Sequence, residues 1–129
     1  VHGTEHHVVA LESDFGAGRV YALRTRFNDD AAQYRRALER QLAPLGVNFS
    51  AEAAQGGADI DAIRLTGAAV ADLAQDGTNY FDYHHTANDT LNAIDPEALR
   101  QNVAAWAVFA YLVADSDWVL TPPGPPPTE

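Results

Sequence analysis

The sequence predicts an α/β layered fold. Two apolar runs short enough for buried strands, Val8–Leu11 and Ala68–Leu73, are interleaved with segments of helical periodicity. Both runs stop at clusters of acids, glycine and other turn formers. After the second run, segment 80–90 gathers two histidines, two carboxylates and three aromatic rings in eleven residues, just before a well-marked helix.

Taken in order, Val1 to His7 is polar and reads as irregular. Val8–Leu11 begins with β-branched residues and ends at Glu12-Ser13-Asp14-Phe15-Gly16, as a buried strand running into a loop would. Arg19 to Phe27 alternates, with Tyr21, Leu23, Thr25 and Phe27 on the face expected to be buried. Asn28-Asp29-Asp30 offers caps for a helix bearing Tyr34, Leu38 and Leu42 at four-residue spacing, which Pro44 and Gly46 close. Val47–Phe49 suits a brief strand and Ala51–Gly57 a loop. Asp59 is a cap for a short helix from Ile60 to Leu65, with Gly67 past its end. Gln75-Asp76-Gly77 is a turn, and the histidine segment reads as a long loop. Asp95-Pro96-Glu97 starts the last helix, whose predicted stripe is Leu99, Val103, Trp106, Ala110 and Val113, widened by Val108, Phe109 and Leu112. A helix so apolar is expected to be buried on more than one side. Residues 1–120 read as one unit, and 121–129, mostly proline, as a disordered tail.

The net charge is −10 and there is no lysine, so a phosphate backbone would be repelled and nucleic acid is not an expected partner. No apolar run is long enough to span a membrane. Cysteine is absent, which removes disulfides and thiolate metal sites. The chain starts at Val1 and contains no methionine, which reads as a fragment, a mature form or a trimmed chain.

The chemistry-bearing residues lie where strands end. If the Val8 and Ala68 runs are parallel, Asp14 and His85 leave the sheet on the same rim, where α/β sheets bind ligands. Each residue also has an ordinary reading. Asp14 and Glu12 could accept loop amides, His84 and His85 could be solvated, and Tyr80, Phe81 and Tyr83 could wall a core edge. Asp89 could orient an imidazole through its second nitrogen, or cap a turn. Asp14 and His85 are too few for the four donors of a zinc site.

The stretches His7–Gly16 and Tyr80–Pro96, with Gln75-Asp76-Gly77-Thr78 between them, resemble the carboxyl-terminal part of the di-zinc exopeptidases that include bacterial leucyl aminopeptidase, carboxypeptidase Q and glutamate carboxypeptidase. That resemblance extends to about Trp118. It implies a three-layer α/β/α fold with a mixed, mostly parallel sheet, present as a partial domain. It implies two zinc ions in the complete enzyme, with Asp14 a terminal ligand of one and His85 of the other. Glu12, Tyr83, His84 and Asp89 then stand as supporting or pocket residues. The family's His-x-Asp segment and Glu-Glu pair, which carry the remaining ligands and the general base, have no counterpart in these residues.

The expected activity of the whole protein is hydrolysis of a peptide or dipeptide by a zinc-activated water. The isolated chain is expected to be inert, with zinc absent or weakly held. The resemblance favours a periplasmic or secreted setting. A partial sheet would leave an open edge and a bare apolar face, so the chain is expected to associate with itself or with a missing amino-terminal segment. The rival readings are a metal-free interaction module of the same fold and a single-zinc glutaminyl cyclase-like acyltransferase.

Overall fold

The computed structural model describes residues 7–121. Strand β1 (Val20–Arg26) is central. Its alternation and β-branched content suit a strand, and it pairs in parallel with the two-residue β2 (Asn48–Phe49) and antiparallel with β3 (Val70–Gln75). Leu23 is the shared register point, opposite Phe49 on one side and Leu73 on the other. The sheet is therefore mixed, and its longest ladder is the antiparallel one.

The Val8 run meets the sheet at a single point. Ala10 forms one parallel bridge with Val70. The Ala10 amide donates to the Ala69 carbonyl at 2.8 Å, and the Ala71 amide donates to the Ala10 carbonyl at 3.1 Å. The lateral order is thus Ala10, β3, β1, β2. The two runs are parallel where they touch, so both leave the sheet in the same direction.

Helices α1 (Ala32–Leu42) and α4 (Pro96–Ala114) cover one face. There Leu38, Leu42 and Phe109 pack with Val20, Leu23, Ala71 and Leu73 in the main core. Full burial of each large side chain contributes about 1.5–3 kcal/mol. The other face is smaller: Ala10, Ala54, Ile60 and Val70 pack together with Ile63 of the one-turn helix α2 (Asp61–Arg64). The described chain ends under the main core, where Leu120 is buried and its carbonyl accepts the Asn28 amide at 2.8 Å.

Three sequence expectations are corrected. Tyr21 is half exposed, and Val20 and Ala22 are buried instead. The β1–β3 register shifts between Val20 and Ala22, so a bulge at Tyr21 interrupts the alternation. Asp59 caps no helix with its side chain; its amide instead donates to Glu12 Oε2 at 2.9 Å. The buried stripe of α4 is Ala98, Gln101, Asn102, Ala105 and Phe109, while Leu99, Val103 and Ala110 are exposed. Small residues let α4 approach the sheet closely, and its two amides satisfy strand-end backbone that an apolar face would leave unpaired.

The expected caps at the other helices are present. Asn28 Oδ1 accepts the Asp30 amide at 3.0 Å, starting the 3₁₀ turn that leads into α1. Asp95 Oδ1 accepts the Glu97 amide at 2.8 Å, with Pro96 as the first helical residue. Gly67, at φ +87°, ends the turn after α2.

Candidate active-site rim

The rim lies where β3 ends and β1 begins. After Gln75 the chain makes a tight turn, in which Asp76 Oδ1 accepts from the Thr78 amide at 3.0 Å and from its hydroxyl at 2.5 Å. These two bonds hold the Asp76 carboxyl below its ordinary pKa, because both favour the ionised form. The chain then forms α3 (Tyr80–Tyr83), a single helical turn where the sequence suggested loop. The Tyr80 amide donates to Gly77 O and the His84 amide to Tyr80 O, which closes that turn.

His85 follows in the left-handed region, at φ +58°, the one non-glycine residue with positive φ among the described residues. Such a conformation is uncommon for a residue that carries a Cβ, and neighbouring contacts support it. Here Thr86 does so from one side, its amide and hydroxyl both donating to Tyr83 O at 2.9 and 2.7 Å. From the other side the His84 ring stacks on His85, with centroids 3.7 Å apart.

A row of rings joins this turn to the Asp14 loop. Phe15 packs on Tyr80 at 5.2 Å, Tyr80 stacks on His84 at 4.5 Å, and His84 stacks on His85. Partial burial, and then the negative potentials of Asp14 and Asp89, raise the Tyr80 hydroxyl above its ordinary pKa. Both carboxylates therefore act on the same phenol. Beside the row lies a cavity of about 480 Å³, whose lining includes Phe15, Arg19, Tyr80, Tyr83, His84 and Asp89. Asp14 and His85 are exposed and adjoin two of the lining residues, Phe15 and His84, in sequence.

Glu12 lies elsewhere. Its carboxylate accepts the Asp59 amide, on the path into α2. A Cβ at Gly57 would lie 1.6 Å from Glu12 Oε1, so only glycine leaves room for this contact. Among the described residues, no group of three or more His, Asp or Glu side chains gathers as a metal site requires. The donors on the rim, a carboxylate and an imidazole, are types that zinc accepts, but they are two where four are needed.

Three contributors escaped the sequence reading. Gln101 accepts the Val20 amide at 2.9 Å and donates to Val20 O at 2.8 Å and Leu45 O at 2.9 Å. Asn102 donates to Gly18 O at 2.7 Å. Together they pin the start of β1 beside the cavity. Their signal was present, as two amides side by side in an otherwise apolar helix. Gln75, the third, braces the Asp14 loop.

No family model matches the sequence. Carboxypeptidase Q from Rattus norvegicus is 32% identical over 112 residues, 87% of this chain and 24% of that protein. Carboxypeptidase Q from Bos taurus is 29% identical over 117 residues, 91% of this chain and 25% of that protein. The crystal structure of a peptidase M28 precursor from Shewanella amazonensis SB2B superposes with a TM-score of 0.84 at 46% identity, covering 95% of this chain and 27% of that one. The chain thus spans about a quarter of the length of the proteins it matches. Likeness in sequence and in fold to these peptidases supports the di-zinc exopeptidase family, with the chain corresponding to a partial domain. Within that family its curated likeness is to carboxypeptidase Q.

Proposed function

We propose that this chain is the carboxyl-terminal part of the catalytic domain of a zinc-dependent exopeptidase, an aminopeptidase or dipeptidase, acting outside the cytoplasm. The observation that carries the proposal is the continuous ring contact from Phe15 through Tyr80 and His84 to His85, which links the two strand-exit loops. It is supported by likeness to carboxypeptidase Q and to an M28 peptidase along nearly the whole chain.

In this reading Asp14 would hold one zinc ion through a carboxylate oxygen, and His85 would hold the other through an imidazole nitrogen. When bound, the paired ions supply a water of lowered pKa and polarise the scissile carbonyl. The chain's own residues set the stage for that chemistry. The left-handed turn at His85 and the His84 stack fix the imidazole's direction. The rings of Phe15, Tyr80 and Tyr83 present an apolar wall to a substrate side chain. Asp89 and Arg19 offer opposite charges to the polar ends of a short peptide. Proton transfer to the leaving amine falls to a glutamate on the upstream segment, together with the other ligands.

The test compares this chain with a longer protein that carries it behind a His-x-Asp and a Glu-Glu segment. The longer protein should hold two zinc ions and hydrolyse dipeptides. Its Asp14→Asn and His85→Ala variants should each lose one ion and fall to the no-protein blank. This chain alone should show no turnover of aminoacyl-anilides with added zinc. Turnover by the chain alone, or two ions retained in either variant, would overturn the reading.

A further inference from the structure

Gln75 is the last residue of β3, and its side-chain amide reaches across to the loop that leaves the Ala10 bridge. Ser13 Oγ donates to Gln75 Oε1 at 3.1 Å, and Gln75 Nε2 donates to the Gly16 carbonyl at 3.0 Å. Ser13 and Gly16 bracket Asp14 and Phe15. One planar group therefore grips both ends of the four-residue stretch that carries the aspartate. The pairing needs a group that accepts at one atom and donates at its neighbour. Glutamine does this, whereas an ionised glutamate would set a second acceptor against the Gly16 carbonyl. Gly16 sits at φ +76°, in the left-handed region that favours glycine.

The Asp14 carboxylate itself receives no hydrogen bond within the chain, among the described residues. Its place on the rim therefore follows its backbone, which is held by Gln75 and by the Phe15–Tyr80 contact. Both holds originate on the segment that runs from β3 to His85. The same strand end therefore governs the placement of one strand-exit residue and leads directly into the other.

From this geometry we infer that Gln75 is a positioning residue for Asp14: its side-chain amide locks the 13–16 loop and so sets where the carboxylate stands relative to the His85 turn. The inference rests on the reading of Asp14 as a metal ligand, and the two can be tested separately. The experiment uses the longer protein of the preceding test, freed of metal, with nuclear magnetic resonance of the Asp14 carboxyl carbon and the His85 imidazole during titration with zinc chloride. Backbone order parameters at residues 13–16 are recorded without metal. Gln75→Leu removes both bonds and should leave the circular dichroism unchanged. It should lower the order parameters at 13–16 toward the flexible range and weaken zinc affinity read at Asp14 about tenfold, within the range seen when outer partners of ligands are lost. The His85 response should hold. Gln75→Glu, which keeps the acceptor for Ser13, should fall between parent and Gln75→Leu. Ser13→Ala, which loses one bond from the other side, should do the same and replaces Gln75→Leu if that variant fails to fold.

Unchanged order parameters at 13–16 in Gln75→Leu and Ser13→Ala would overturn the clamp, whatever zinc does. An unchanged zinc affinity at Asp14 together with a loosened loop would overturn its role in placing the ligand. If zinc leaves the parent's Asp14 carbon unmoved, and the response matches that of Asp14→Asn, the ligand reading fails. The order parameters then decide the loop clamp by themselves.

Discussion

The His84 imidazole lies nearly flat on the Tyr80 ring, with centroids 4.5 Å and planes 22° apart. Tyr80 in turn touches Phe15, so one side chain connects the Asp14 loop to the His85 turn. Stacking needs the ring and not the hydroxyl. Tyr80→Phe should therefore preserve the upfield ring-current shift of the His84 protons, and Tyr80→Ala should reduce it to the part that the His85 ring supplies. An unchanged shift in Tyr80→Ala would show that Tyr80 does not make the contact.

Gln101 makes three hydrogen bonds from a buried position. Gln101→Ala leaves the Val20 amide and two carbonyls without these partners, and an unsatisfied buried group costs about 1–3 kcal/mol. A loss of about 3 kcal/mol in urea unfolding is expected. A loss below about 0.5 kcal/mol, the usual range for surface changes, would mean that water replaces the amide.

Gly18 separates two kinds of glycine effect. A Cβ there would lie 2.0 Å from the Asp76 carbonyl oxygen, a backbone atom that moves only if β1 and β3 part. At Gly46 nothing lies within 4 Å, and the penalty for alanine is the left-handed φ of +79° alone. Gly46→Ala should cost about 1–2 kcal/mol. Gly18→Ala should cost more and also disturb the amide resonances of residues 75–78. Equal costs would show that the strands yield easily at this point.

Asp76 gives the fold a pH dependence of known sign. Its folded pKa is lowered by Thr78, so its contribution is present above the unfolded aspartate range and is lost as pH falls through the folded value. The urea midpoint should decline across the acid range, and Asp76→Asn or Thr78→Val should flatten that decline. An acid limb of the same slope in both variants would assign it to other carboxylates.

The outer face of α4 presents Leu99, Val103 and Tyr111 to solvent, with Val103 58% and Tyr111 67% exposed. Apolar groups gathered in this way favour burial against another surface. Sedimentation of this chain should depend on concentration, and Val103→Glu with Tyr111→Glu should reduce it to monomer. A parent that stays monomeric at high concentration would remove this expectation.

The sequence by itself determined the elements that depend on local chemistry. Asn28 and Asp95 announce helix starts because their side chains cap amides two residues on, and Asp76-Gly77 announces a turn for the same reason. The two motifs around Asp14 and His85 carried the family likeness, since each is contiguous in the chain. Only tertiary structure decided the rest. A bulge at Tyr21 reversed the buried face at the start of β1, because register depends on the partner strand. The sheet-facing side of α4 went to Gln101, Asn102 and alanines, because backbone groups at the start of β1 needed partners more than the helix needed an apolar contact. Gln75 gained its hold on the Asp14 loop from a residue 59 positions away, a relation that no periodicity in the chain records.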